Sequence, residues 1–261
     1  MLSQKFMDIE PSSLKSPIAL IGLPGIANVG RIAIEGLIQL LNAQSYMEFY
    51  SEDFPSSVFV QEGILQFPKS TLYLYRSAPD EEHDLFLLTA DFQPSTGKGV
   101  LEYADFVAQE FDTLSIRRVL ALAAYEQNYP DFFTSYPNPP RLYVSATTQA
   151  FRDELLAVRG ATITSVGMIN GANGIIPSWA ATRYGLEGGC LLGETLGVIK
   201  ADYRASREVL DGVAQLLGVQ TDLSFLDEAV SKVVEFIDWA KDELAGKEDS
   251  GEEHSSDRHT G

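Results

Sequence analysis

The sequence is poor in the side chains that most often build catalytic centres. In 261 residues it has one cysteine, Cys190, and three histidines. A lone cysteine excludes an internal disulfide framework and any cysteine-cluster metal site, and it fits a reducing cytoplasm. Two histidines, His254 and His259, fall in a terminal stretch without aliphatic residues; His83 sits beside the acidic run DEEHD and reads as an exposed loop residue, not a general base. Basic residues are also few: 19 Lys and Arg stand against 37 Asp and Glu, a net charge of −18. Affinity for a nucleic-acid backbone comes from cations that displace counterions, so nucleic acid is not an expected partner. No apolar run reaches the roughly 20 residues that cross a bilayer, and the N-terminal MLSQKFMDIEPSSLKSP lacks the apolar core of a secretory signal. The expectation is a soluble, cytoplasmic protein with no membrane partner.

What the chain does have is 45% hydrophobic residues, enough for a substantial core. Short continuous apolar runs suited to buried strands alternate with stretches of three- and four-residue apolar spacing. IALIGL (18–23) precedes the helical pattern VGRIAIEGLIQLLNA (29–43), and DLFLLTADF (84–92) precedes VLEYADFVAQEF (100–111) and RVLALAAY (118–125). Between them, VFVQEGILQF (58–67) and TLYLYR (71–76) suit antiparallel pairing. RLYVSATT (141–148), QAFRDELLAVRG (149–160), ATITSVGMI (161–169), PSWAATRYG (177–185) and GGCLLGET (188–195) continue the alternation. This predicts an α/β fold, a mostly parallel sheet with helices on both faces. Two further helices follow. The expected organisation is an α/β domain over 1–200, a C-terminal helical hairpin or oligomerisation segment over 201–246, and a disordered acidic tail over 247–261.

Two glycine-rich stretches sit between a strand and a helix, where phosphate cradles are often built. In GLPGIANVG the glycines fall at Gly22, Gly25 and Gly30, which does not match the dinucleotide fingerprint. Gly25 and Gly30 have P-loop spacing, but Arg31 and Ile32 replace the lysine and the hydroxyl, and an apolar side chain cannot hold a hard cation. A tight turn that lets a helix pack closely on a strand is the competing reading. GMINGANGIIP (167–177) has the same character, with Asn170 and Asn173 each before a glycine, so a turn or a small-ligand pocket is expected there. In STGKG (95–99), Lys98 reads as a residue at a helix start. Cys190, among glycines and leucines, reads as a buried small hydrophobe. Glu194 ends a glycine-flanked strand but has no partner carboxylate in sequence for acid-base work.

Two features point to protein contacts. Leu223, Leu226, Val230, Val233, Ile237, Ala240 and Leu244 follow alternating three- and four-residue steps, a seam that packs on the protein's own body or on a second copy. In YEQNYPDFFTSYPNPP (125–140), Tyr129, Phe132, Phe133 and Tyr136 form either a presented aromatic surface or a lid over the core.

Taken in order, GLPGIANVG, NGANGIIP, GGCLLGET and ADYRASREVLDGVAQLLGVQTDL resemble the PAC2 family, the proteasome assembly chaperone 2 group, in its archaeal form, across roughly residues 16–245. The resemblance implies a fold similar to nucleoside phosphorylases, no established catalytic activity, no cofactor, and helices that support oligomers. It implies that chaperone members bind proteasome α-subunits. Gly22, Gly25, Gly30, Asn173, Gly174 and Glu194 carry over as fold or pocket positions, none of them catalytic. Archaeal chaperones of this type can end in a hydrophobic-tyrosine-any motif; here the penultimate residue is Thr260, which weakens the expectation of docking by that route and raises that of a partner subunit to a PAC2 paralogue. The resulting expectation is a non-enzymatic homo-oligomeric assembly chaperone or scaffold acting on proteasome α-subunits. The alternative is a protein or enzyme that holds a nucleoside, nucleotide or phosphate in the glycine-rich loops.

Overall fold

Ile18–Ile21 is buried at all four positions, as a strand covered on both faces must be. The computed structural model describes residues 1–219 and 221–252. Its elements run β1 (Leu2–Lys5), β2 (Ile18–Ile21), α1 (Val29–Leu40), β3 (Gln44–Tyr50), β4 (Phe59–Gln61), β5 (Ile64–Gln66), β6 (Ser70–Tyr75), β7 (Leu85–Ala90), α2 (Gly97–Thr113) and β8 (Arg118–Glu126). They continue with α3 (Tyr129–Ser135), β9 (Leu142–Ala146), α4 (Gln149–Leu156), β10 (Ala161–Ile163), α5 (Ala172–Tyr184), β11 (Glu187–Thr195), α6 (Tyr203–Leu217) and α7 (Asp227–Glu252).

Nine strands form one sheet in the order β1-β3-β6-β7-β2-β8-β11-β9-β10, and β4 pairs with β5 as a separate hairpin. The centre is parallel from β7 through β2 and β8 to β11, as the buried apolar runs predict. The flanks differ: β1-β3, β3-β6, β6-β7 and β11-β9 are antiparallel, so the sheet is mixed. Consecutive strands without an intervening helix can return only as antiparallel neighbours, and β6 and β7 are joined in this way.

Helices cover both faces. On one side α1, α4, α6 and the start of α7 bury Ile34, Leu37, Phe151, Leu155, Val209 and Leu210 against the sheet. On the other, α2 and α5 bury Tyr103, Val107, Phe111, Ile176 and Ala180. Tyr103 is fully buried, and its hydroxyl pairs with Ser70 Oγ at 2.8 Å, which satisfies both polar groups. Helix α6 belongs to this body: Ala205, Val209, Leu210 and Val213 are at most 1% exposed.

The C-terminal seam also faces inward. Leu223, Leu226, Val233 and Ile237 are buried in the same core, with Val230 packed at its margin. Apolar spacing identifies which face of a helix is covered, not by what. Here the protein's own body covers it, so these residues are not free to form an intersubunit seam. The side chain of Leu244 and residues 253–261 of the expected tail lie outside the described residues; α7 itself continues to Glu252 through the first residues of that tail.

Close approach of α1 to the sheet depends on missing side chains. A Cβ on Gly30 would stand 1.9 Å from the Leu122 carbonyl oxygen, and one on Gly22 would stand 2.1 Å from the Gly30 carbonyl oxygen. Gly30→Ala is therefore expected to cost about 3 kcal/mol in urea denaturation, by overpacking backbone that cannot yield. Gly97→Ala, where nothing lies within 4 Å of the added carbon, should stay within about 0.5 kcal/mol of wild type. Equal effects at the two positions would refute the contact.

Candidate functional site

The C-terminal ends of β2, β8 and β9 and the N-terminal half of β11 border a cleft of about 940 Å³, and open α/β sheets hold ligands beyond the C-terminal ends of their parallel strands. Its walls are the glycine-rich loop after β2 and residues 164–170 leading into α5. Gly25, Gly30, Asn173 and Gly174 all line it, so the structure brings together two stretches far apart in sequence. Gly22 lies behind the loop in the α1 contact, and Glu194 is not among the lining residues.

The two loops are joined by side-chain amides. Asn173 is buried, accepts a hydrogen bond from the Leu23 N–H at 3.0 Å and donates to the Leu23 carbonyl at 3.1 Å. Gln93 accepts from the Ala172 N–H at 2.7 Å and donates to the Pro24 carbonyl. These amides therefore occupy the Leu23 N–H and the first N–H of α5, and the Asn28 N–H bonds Gly25 at 3.0 Å. An anion cradle needs such donors free. Glu126 is the single charged residue among the described lining, so the cleft offers an incoming phosphate a carboxylate and no cation.

Asn173 and Gly174, read in sequence as part of a turn, lie in the first turn of α5. Gly174 is needed there because a Cβ would meet the Ile169 carbonyl oxygen at 2.7 Å. Pro177 sits inside the same helix and cannot donate to the Asn173 carbonyl four residues back. The Cys190 thiol lies 4.0 Å from that oxygen and faces the vacant acceptor. Burial pushes this thiol up to about 12, which agrees with the sequence reading of an inert cysteine.

Glu194 is 1% exposed and anchors α3 to the sheet end: Gln127 Nε2, Ser135 Oγ and the Arg141 N–H lie 3.3 to 3.5 Å from its oxygens. Of the aromatic candidates, Phe132 and Tyr136 are buried in the core and Phe133 packs against them. Tyr129 is 42% exposed. The stretch is helical, capped by Asn128 with Pro130 in its first turn, and it turns most of its aromatic area inward. Tyr136 donates to Asp238 of α7 at 2.6 Å; burial and this carboxylate push its phenol up to about 12. Lys98 stands in the first turn of α2, 3.4 Å from Glu102, and His83 Nδ1 meets the Ser16 carbonyl at 2.8 Å in a loop. Sequence reasoning missed Gln93, which had no signal beyond its place after a strand. It also missed Asp202, the N-cap of α6, in a conventional capping position.

The PAC2 family model matches residues 19–239. The chain belongs to the PAC2 family. An uncharacterised protein of Methanocaldococcus jannaschii is 24% identical over 241 residues, covering 92% of this chain and 88% of the relative. Among solved structures, Pyrococcus furiosus PbaB, an archaeal proteasome activator, superposes with a TM-score of 0.81 at 27% identity, covering 92% of this chain and 98% of PbaB. Pyrococcus furiosus PbaA, an archaeal homolog of proteasome-assembly chaperone, gives 0.70 at 21% identity with 97% of each chain covered, and so shares the fold. Among the described residues of this PAC2 protein, no helix is long and apolar enough to cross a membrane.

Asn173→Ala strands a buried N–H and a buried carbonyl, and should cost about 2–4 kcal/mol by urea unfolding. A loss under about 0.5 kcal/mol would remove the clip from the account. The thiol gives a second test. Its unfolded form ionises near 9 and its folded form near 12, so unfolding releases a proton between those values and stability falls as pH rises through them. The wild-type stability minus that of Cys190→Ala should fall with pH in this window and be flat below pH 8.

Proposed function

We propose that this PAC2 protein is a non-catalytic, self-associating cytoplasmic scaffold that assists proteasome assembly by binding α-subunits. The observation that carries this reading is membership of the PAC2 family over residues 19–239, with a solved relative covered end to end at 27% identity. The arrangement of chemistry in the chain supports it. Cys190, Glu194, Asp202 and Arg204 are at most 9% exposed and lie within the body, where they bond or pack against neighbouring elements. A different set of side chains faces outward. On the outer side of α7 and the turn before it, Phe225, Phe236 and Trp239 are 46%, 39% and 60% exposed, with the rings of Phe236 and Trp239 5.9 Å apart. Exposed aromatics of this kind carry binding energy at protein interfaces. The net charge of −18 keeps the free protein soluble and attracts a partner with basic contact residues.

A second reading, stimulation of the assembled proteasome, is favoured by PbaB itself being a proteasome activator. Native mass spectrometry with purified α-subunits, alongside peptide hydrolysis by assembled core particle, separates the two. The assembly reading expects a defined mixed complex with free α-subunits that weakens with rising salt, and no change in hydrolysis. Stimulated hydrolysis without capture of free subunits selects the activator; neither effect rejects both. Trp239→Ser is expected to weaken α-subunit binding at least tenfold while leaving the melting temperature within about 2 °C.

A further inference from the structure

Among the described residues, an exposed apolar segment also lies outside both the cleft and α7. Residues 56–67 are all exposed, and within them Val58, Phe59, Val60, Ile64, Leu65 and Phe67 are 40% to 69% exposed. They form the β4–β5 hairpin, closed by Glu62 and Gly63, both with positive φ, in the two-residue turn that hairpins favour. Val60 stands opposite Leu65, so these two share a face, and the two-residue period adds Val58 and Phe67 to it. The opposite face carries Phe59, Gln61, Ile64 and Gln66, and Phe59 stacks on Phe92 with centroids 5.6 Å apart. One face therefore leans on the body. The other is a four-residue apolar plate on which only the Phe67 ring meets the body, 6.2 Å from that of Tyr50, while Val58, Val60 and Leu65 stay 49% to 69% exposed.

We propose that the Val58, Val60, Leu65 and Phe67 face is the contact between copies of this chain, packed plate to plate across a two-fold axis. This rests on the self-associating scaffold proposed above and names its interface. Three observations favour a second copy over a client. The hairpin has only two strands and touches the body chiefly through Phe59 on Phe92 and Phe67 on Tyr50, so a cover for its remaining apolar area steadies it whenever the chain is folded, and the constant companion of a chain is another copy. A copy carrying −18 is repelled by most of this surface, whereas residues 56–67 carry one charge, Glu62 at the turn. An apolar face that carries no charge of its own can also meet its own copy without repulsion, as an isologous contact requires.

The test is light scattering on the full-length protein and its Val60→Glu/Leu65→Glu variant, with circular dichroism to verify the fold. The expected result is an oligomeric wild type and a folded variant whose self-association is weakened at least a hundredfold. A folded variant of unchanged mass overturns the interface while leaving the proteasome reading to its own binding assay. A monomeric wild type overturns the interface and the self-association together. If it is monomeric and the variant also loses α-subunit capture, the plate is a client surface. Should the double variant not fold, Leu65→Cys under mild oxidation decides: covalent dimers should form faster than with Val166→Cys, a 92% exposed control, and equal rates overturn the proposal. The native Cys190 is buried and does not compete.

Discussion

Two hydrogen bonds between Asn173 and the backbone of Leu23, 150 residues apart, hold the C-terminal end of the sheet in one arrangement. Everything at that end follows from them. They fix the first turn of α5 against the loop after β2, and Gln93 repeats the link between the neighbouring residues Pro24 and Ala172. With the loop fixed, Gly22 can sit under α1 and Gly30 of α1 can sit on the Leu122 carbonyl, at distances no other residue tolerates. The glycine-rich signature is thus a packing signature. Glycines permit the approach, and amides absorb the donors that the approach would otherwise strand in a buried place.

A second polar knot performs the same task for the C-terminal helices. Thr195 at the end of β11 donates to Asp202 at 2.7 Å, and Asp202 caps α6 by accepting from the Ala205 N–H at 3.0 Å. Arg204, buried beside it, places its guanidinium 5.0 Å from the Phe132 ring and 5.7 Å from that of Tyr136. Its Nε and Nη2 atoms have no hydrogen-bond partner among the described residues, so the aromatic faces and Asp202, 3.7 Å away, supply its compensation. Tyr136 then reaches Asp238 on α7. The aromatic stretch after β8 therefore joins the sheet end, α6 and α7, and its rings are spent on internal contact.

The parallel centre was legible because Ile18–Ile21, Leu85–Ala90 and the strand ending in Thr195 are continuous buried runs, and such runs have one structural meaning. The edge strands were not. β1 is exposed at all four positions, and β3 alternates burial imperfectly across a bulge between Ser45 and Met47, so neither carries a strong hydrophobic signal. The start of α5 was hidden by composition: asparagine, glycine and proline each favour turns locally, but packing against Ile169 and the clip to Leu23 outweigh propensity. The candidate positions in the cleft could be named from sequence, yet their roles could not. Whether a glycine loop offers its N–H groups to a ligand depends on Gln93 and Asn173, and their reach across the sheet end is a tertiary fact. The direction of the α7 seam had the same origin, since periodicity fixes a face and leaves its neighbour open.

These placements give the functional reading its physical content. A catalytic centre needs titratable groups held where a substrate can reach them, with environments that shift their protonation toward the task. Here burial pushes the one thiol away from reactivity, and the buried carboxylates Glu194 and Asp202 bond groups of adjoining elements. Among the described residues, the chain also turns apolar area outward in the hairpin plate and the outer aromatics of α7. Leaving such area in water is unfavourable in proportion to its size, and a highly acidic chain can bring it together with another surface only where its own charge is sparse. The hairpin meets that condition, whereas α7 carries Glu228, Glu235 and Asp238 among its exposed residues. On the proposed reading the two surfaces therefore meet different partners: the uncharged plate an equally acidic copy of the same chain, and the acid-flanked aromatics of α7 a client that brings basic residues.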